Sequence, residues 1–145
     1  MEITEFSMAD YDEATAFWRA MPEIGLDDAD APERMQAYLE RNPGLSFIAR
    51  DKGKLVGAVL CGHDGRRGYL QHLAVDPAYR GKGIGRALLN RCFEGLRVAG
   101  IARCNIFVYA DNEKGKAFWH KAGWSTFDGL ELMFKTVEPP DVDGS

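Results

Sequence analysis

One segment in the middle of the chain constrains the fold more than any other, because it joins a strand to a helix through a glycine-rich turn. The run Tyr69–Val75 has the character of a strand, and Asp76-Pro77 ends it. Apolar residues then recur at helical spacing from Ile84 to Leu96, and Gly100 closes that pattern. A strand that leads at once into an amphipathic helix is typical of an α/β domain.

The turn between this strand and this helix combines three glycines with basic residues. It reads Arg80-Gly81-Lys82-Gly83-Ile84-Gly85-Arg86. Backbone N–H groups at the start of a helix have no partner within the helix, and the helix dipole favours an anion there. A tight strand-to-helix connection explains one or two glycines, but not three that alternate with basic residues. The turn therefore predicts a site for a phosphate or pyrophosphate.

Two common nucleotide motifs do not fit this turn. A Walker A loop requires a glycine followed by Lys and then by Ser or Thr, and no glycine of the turn meets that requirement. The dinucleotide fingerprint requires a third glycine at the position that Arg86 occupies.

The rest of the chain predicts one mixed α/β domain over residues 1–137, with the element order β-α-α-β-β-β-α-β-α-β-β. A strand is expected at Cys104–Tyr109, and a last hairpin at Trp124–Phe127 and Leu130–Lys135. Residues 138–145 are acidic and rich in proline and glycine, so we expect a disordered tail there.

Composition excludes several classes of protein. The chain has 145 residues, a net charge of −4 and 46% hydrophobic residues, which is ordinary for a cytoplasmic globular domain. No apolar run is long enough to span a membrane, and no block of basic residues suggests a nucleic-acid partner. The three cysteines and three histidines share no ligand spacing, so no metal site is predicted.

At this point a resemblance to a known family becomes specific. The pattern Arg80-x-x-Gly83-x-Gly85, preceded by Leu73-Ala74-Val75, resembles the coenzyme A motif of the GNAT acetyltransferases. The element order resembles the GNAT fold, a mixed central sheet with helices on both faces, as do Asp111-Asn112 and the aromatic segment Phe118–Trp124. Within the family, the turn Gly62–Gly68 resembles that of the small bacterial YpeA-like group.

The resemblance implies a role for particular residues. The backbone of the turn would bind the pyrophosphate of acetyl-CoA; its residues are Arg80, Gly81, Lys82, Gly83, Ile84 and Gly85. The pantetheine arm would pair with the main chain of Leu73 and Val75, and an amide of this strand would face the developing oxyanion. Asn112 and Trp119 would lie against the pantetheine or the acyl end. Asn112 also suits a helix N-cap, and the two roles are compatible.

The catalytic pattern departs from the family at two positions. Trp119 stands where many members have a tyrosine that protonates the leaving thiolate, and Phe107 stands where some have a glutamate. His72 and Tyr69 are the candidate catalytic residues that remain on the strand. Histidine is a residue type suited to act as a base near neutral pH, and the alternative interpretation of His72 is a histidine packed under the helices. Strand alternation alone does not decide which face His72 occupies, because the family often has a bulge in this strand.

The expected activity is acetyl transfer from acetyl-CoA to an amine, either a small molecule or a protein or peptide. A non-catalytic acyl-CoA-binding module is the alternative, and a homodimer is left open. The loop between the first two helices carries acidic residues that either attract a cationic amine or simply face solvent; they are Glu23, Asp27, Asp28 and Asp30. Arg66 and Arg67 would suit an acidic acceptor if they faced the cleft.

Overall fold

A computed structural model describes residues 1–137, so the predicted acidic tail at 138–145 lies outside the described residues. The chain divides into two compact units, the first spanning residues 1–107 and the second beginning at residue 108. The first unit holds a five-stranded sheet and three α-helices, and residues 108–137 of the second hold one α-helix.

The order of the elements follows the prediction as far as the last helix. The strands are β1 (Glu2–Glu5), β2 (Phe47–Asp51), β3 (Lys54–His63), β4 (Gly68–Val75) and β5 (Cys104–Asn105). The helices are α1 (Tyr11–Arg19), α2 (Pro32–Arg41), α3 (Ile84–Val98) and α4 (Glu113–Lys121). The strands lie in the order β1-β2-β3-β4-β5, and all neighbours are antiparallel except β4 and β5. The predicted mixed α/β fold is confirmed.

Local sequence signals explain where the first two helices begin. Ser7 and Asp10 form a reciprocal capping box before α1, and Pro32 occupies the first position of α2. Helix α1 buries Ala14 and Trp18 completely. These residues lie one turn apart and form the apolar stripe that packs against the sheet.

Helices cover both faces of the sheet. The core beneath α1 and α2 contains Trp18 and Met35 together with Ala58 and Leu60 of β3. Helix α3 covers the opposite face, where a Cβ on Gly57 would lie 3.2 Å from side-chain atoms of both Ile84 and Leu88. A glycine at this position lets the helix approach the strand closely.

Strand β4 contains the bulge that the resemblance implied. Ala58 pairs with Ala74 and Leu60 pairs with Gln71, so one residue of β3 opposes two of β4. His72 is one of the two and has a φ of +57°, in the left-handed region. Because Ala58 and Leu60 share the core beneath α1 and α2, their partners Ala74 and Gln71 lie on that face as well.

The predictions for the end of the sheet were wrong. Strand β5 has only two residues instead of six, and within the described part of the chain residues 124–135 form no strand. Alternating apolar residues and a turn at Gly129, where φ is +85°, favour a hairpin locally. A hairpin without a neighbouring strand is marginally stable, however, and the side chains of Leu132 and Phe134 are exposed.

No α-helix within residues 1–137 has the length and apolar character needed to cross a membrane.

Candidate active site

The glycine-rich turn ends at the N-terminus of α3, and this N-terminus has no cap from a side chain. Gly81 and Gly83 have φ values of +79° and +83°, which glycine adopts without strain. Gly83 is the N-cap residue and has no side chain that could accept a hydrogen bond from the first turn. The first turn of α3 also has no acidic residue. Space is open beside both glycines, so the free N–H groups and the helix dipole suit an anion.

Arg80 ties this turn to the end of β4. Its Nε donates to the carbonyl oxygen of Val75 at 3.1 Å, and its Nη2 lies 3.4 Å from a carboxylate oxygen of Glu23. The guanidinium is therefore used within the protein. Arg80 therefore links the turn to the end of β4 and to Glu23, a structural role that the sequence did not predict.

Lys82 is joined at the turn by a lysine that is distant in sequence. The Nζ atoms of Lys82 and Lys54 lie 5.3 Å and 5.9 Å from the ring centroid of Tyr79. Lys54 belongs to the β2–β3 hairpin and also pairs with Asp76 at 3.5 Å. No local signal in the sequence connects this hairpin with the turn.

Strands β4 and β5 separate shortly after they meet. Only Gly68 and Tyr69 pair with β5, whereas β4 continues to Val75. Within the described residues, the edge of β4 from Gln71 to Val75 on the β5 side thus has no strand partner. An unpaired edge offers backbone donors and acceptors to an extended ligand. Leu73 and Val75 lie on this edge, as the pantetheine prediction requires.

His72 is held at both its backbone and its ring. The indole N–H of Trp18 donates to the His72 carbonyl oxygen at 2.8 Å, and the two rings meet edge to face at 5.2 Å. The His72 Nε2 atom lies 2.9 Å from Oδ1 of Asp30, which belongs to the loop between α1 and α2. The side chains of His72 and Asp30 are 15% and 11% exposed. His72 is thus neither deep in the core nor free in solvent.

The pKa of the Asp30 carboxyl is shifted by opposing effects. Burial raises it, while the hydrogen bonds from His72 and from the backbone N–H of Asp27 lower it, and the net pKa lies below the ordinary value. Asp30 is consequently an anion beside the imidazole at neutral pH.

Most acidic side chains of the loop between α1 and α2 bind other groups of the protein. Glu23 pairs with Arg80, Asp27 accepts a hydrogen bond from the N–H of Ala29 at 2.9 Å, and Asp30 contacts His72. These three carboxylates organise the loop, which weakens the interpretation that they attract a cationic acceptor.

Tyr69 and the predicted residues of the second unit have clear local surroundings. Tyr69 stacks on Phe107 with ring centroids 6.3 Å apart. In the second unit, Asn112 Oδ1 accepts from the N–H of Gly115 at 2.9 Å, which confirms its N-cap role. Trp119 contacts Phe118 and Trp124, at 5.2 Å and 5.0 Å between ring centroids. Contact of Asn112 and Trp119 with the coenzyme stays a prediction.

Comparison with known proteins decides the family. The acetyltransferase (GNAT) family matches residues 11–124 of this chain. The chain belongs to the GNAT family. An acetyltransferase of Sodalis glossinidius, SG1711, is 32% identical over 137 residues, which cover 94% of this chain and 96% of that protein. The chain is thus a GNAT acetyltransferase with acetyl-CoA as its co-substrate, as predicted.

Solved structures of the same fold agree with this assignment. An aminoglycoside 6'-N-acetyltransferase of Acinetobacter haemolyticus superposes with a TM-score of 0.76 at 17% identity, covering 95% of this chain and all of that one. An acetyltransferase of Clostridium acetobutylicum, solved with acetyl-CoA, superposes with a TM-score of 0.73 at 19% identity, covering 91% and 95% of the two chains. At this identity the likeness shows the fold.

Within residues 1–137, no group of three or more His, Cys, Asp or Glu side chains is arranged to hold a metal ion.

Proposed function

We propose that this GNAT protein acetylates a primary amine by direct attack on acetyl-CoA in a ternary complex, with His72 as the base. The observation that carries the proposal is the bond between His72 and Asp30, located where the unpaired edge of β4 begins. Acetyl transfer requires a neutral amine and a group that accepts its proton near neutral pH.

The coenzyme would be held by backbone groups of the first unit. The pyrophosphate would lie at the N–H groups of the turn from Gly81 to Gly85, and the pantetheine would extend along Leu73 and Val75. This arrangement directs the thioester toward the bulge at His72. An N–H group of the bulge would then stabilise the oxyanion.

Asp30 would orient the base. A carboxylate at Nε2 favours the tautomer whose proton is on Nε2, which leaves the Nδ1 lone pair free to accept a proton. Asp30 also stabilises the imidazolium that forms. In this role Asp30 is a positioning residue, because it acts through His72.

The chemical step needs no additional reactant. The amine nitrogen attacks the thioester carbon, and the carbonyl electron pair moves to oxygen. The nitrogen loses a proton to His72, the oxyanion collapses, and the C–S bond breaks. His72 then returns the proton to the CoA thiolate. In this proposal one histidine acts as both base and acid, because Trp119 and Phe107 offer no ionisable group at the two family positions. The Tyr69 hydroxyl would position the acceptor.

Release of the CoA thiol, measured over a panel of amines, tests this proposal. We expect His72→Gln to lower kcat at neutral pH by a factor of about 100 or more while the KM for acetyl-CoA changes little. His120→Gln is the matched control, because His120 is an exposed histidine bonded to Thr126. An unchanged pH–rate profile in His72→Gln would exclude His72 as the base. Tight CoA binding without turnover of any amine would favour the non-catalytic acyl-CoA-binding module instead.

A further inference from the structure

A cavity of about 330 Å³ lies beside β4, on the side of Tyr69 and Gln71. Gln71 pairs with Leu60 and so faces the layer of α1 and α2, where the His72 ring also contacts Trp18 and Asp30. The walls of the cavity come from the end of α2, the end of β3 and the start of β4. A cavity of this volume is at the small end of the range for ligand pockets and suits a molecule about the size of an amino acid.

The hydroxyl of Tyr38 has no hydrogen-bond partner among the described residues, although Tyr38 lines this cavity. Burial raises its pKa, so the hydroxyl is a proton donor at every physiological pH. The opposite wall leaves room for it, because a Cβ on Gly62 would lie only 2.8 Å from the Tyr38 oxygen. An unpaired hydroxyl in a cavity is a group that a ligand can satisfy.

Arg41 presents a fixed positive charge to the same cavity. Its Nη1 donates to the carbonyl oxygen of His63 at 2.6 Å and to Oδ1 of Asn42 at 3.3 Å. Within residues 1–137, its Nε and Nη2 have no hydrogen bond. A guanidinium held at one nitrogen, with the others free, is well suited to a carboxylate.

The one acidic side chain of the cavity wall is Asp64, and it already has partners. Its Oδ1 accepts hydrogen bonds from the N–H groups of Arg66 and Arg67, each at 2.8 Å. The remaining polar side chains that face the cavity include donors: the Tyr69 hydroxyl and the Gln71 amide. The cavity therefore combines the Arg41 cation and several neutral donors with one carboxylate, and Oδ1 of that carboxylate is bonded to the backbone of its own turn.

We infer that this cavity is the acceptor site and that it takes an amine that also carries a carboxylate, such as an amino acid. The carboxylate would bind Arg41 and Tyr38, and the amine would point along β4 toward His72. This inference rests on the proposed function, since it assumes that the reacting amine reaches His72. It names a substrate that carries an anionic group beside its amine, whereas the acidic loop suggested a purely cationic amine.

Matched pairs of acceptors test the inference directly. Alanine, leucine, glutamate and phenylalanine would each be compared with the corresponding α-carboxamide at saturating acetyl-CoA, by release of the CoA thiol. We expect kcat/KM to be at least about tenfold higher for at least one acid than for its amide, since a fixed guanidinium–carboxylate pair contributes on this scale.

Two variants then test whether the preference for acids over amides arises at Arg41 and Tyr38. Arg41→Gln should raise the KM for the acid with little change in kcat, and bring the acid-to-amide ratio close to one. Tyr38→Phe removes only a hydroxyl that has no protein partner, so it keeps the fold and should weaken the preference by about threefold to tenfold. Arg34→Gln is the matched control, because Arg34 lies on the same helix and is exposed.

The outcomes of these experiments distinguish a failure of the acceptor inference from a failure of the proposed function. Turnover of amines with equal kcat/KM for acids and amides would overturn the acceptor class and leave the proposed function intact. A preference for acids that Arg41→Gln and Tyr38→Phe both leave unchanged would overturn the location. Absence of turnover with every amine would overturn the proposed function, and this inference with it.

Discussion

The position of His72 depends on contacts from residues far away in sequence. Trp18 fixes its backbone, Asp30 fixes its ring, and the hydroxyl of Tyr11 donates to the Asp30 carbonyl, which fixes the loop. A non-glycine residue with φ of +57° is strained, and such strain persists only where surrounding contacts determine it. These contacts hold the imidazole in one orientation, as a base requires.

A prediction at this scale concerns Asp30 and pH. Because the folded pKa of Asp30 lies below 3.8, the ordinary value for an aspartate, its stabilising contribution is complete well above that pH and is lost as the pH falls through the folded pKa. We expect Asp30→Asn to lower the free energy of unfolding by about 1–3 kcal/mol at pH 7. The difference from the wild type should shrink below pH 4. Urea unfolding at pH 7, 5 and 3 measures it.

Asp28→Asn is the control for this experiment, because Asp28 is exposed and lies in the same turn. Its free energy of unfolding should stay within about 0.5 kcal/mol of the wild type at every pH. A loss in Asp30→Asn that is the same at pH 3 and pH 7 would show that the ionised carboxylate is not the stabilising group.

At the scale of elements, α3 has two ends with similar backbone geometry and different surroundings. Gly83 at its start and Gly100 after its end have φ values of +83° and +80°, and a Cβ on either would meet no atom within 4 Å. Only the start offers unpaired N–H groups. Comparing the same substitution at the two ends therefore distinguishes an effect on backbone strain from an effect on ligand binding.

Alanine at each end gives the corresponding prediction. Both Gly83→Ala and Gly100→Ala should destabilise the protein by about 1 kcal/mol through the left-handed backbone. Only Gly83→Ala should weaken CoA binding, by at least about tenfold, because its Cβ enters the space that the pyrophosphate would occupy. Calorimetric titration with CoA measures this. Equal affinity in the two variants would contradict the assignment of the turn.

At the scale of the whole molecule, the sheet of the first unit has two different edges. Strand β1 is one edge along its full length, whereas β4 becomes an edge only beyond Tyr69, where β5 ends. The proposed coenzyme would pair with the second edge and leave the first unchanged.

Hydrogen–deuterium exchange measures this difference. On addition of CoA, exchange should slow at Gln71–Val75 and at the first turn of α3, because their N–H groups become bonded or covered. Exchange at Glu2–Glu5 of β1 is the internal control and should not change. Slowing at both edges would indicate general stabilisation, and no slowing at Gln71–Val75 would remove the support for pantetheine pairing.

Local signals in the sequence were sufficient to predict most helices and strands of the first unit. The spacing of apolar residues, the capping box at Ser7 and the proline at the start of α2 predicted helices that the structure confirms. The glycine-rich turn predicted an anion site because helix starts and glycines act through the backbone of adjacent residues. Its resemblance to the GNAT family was confirmed.

Tertiary structure decided what local patterns cannot contain. The prediction of a last hairpin was wrong because a strand depends on a partner strand. The alternation of apolar and polar residues within the segment does not supply that partner. The face of His72 depended on the bulge, whose register is a relation between β3 and β4. The contacts of His72 with Asp30 and of Lys54 with Tyr79 join residues that are remote in sequence. The cavity likewise brings Arg41 of α2 beside Tyr69 of β4. The sequence by itself thus determined the family and the coenzyme, while the packed chain determined which side chains surround the reaction.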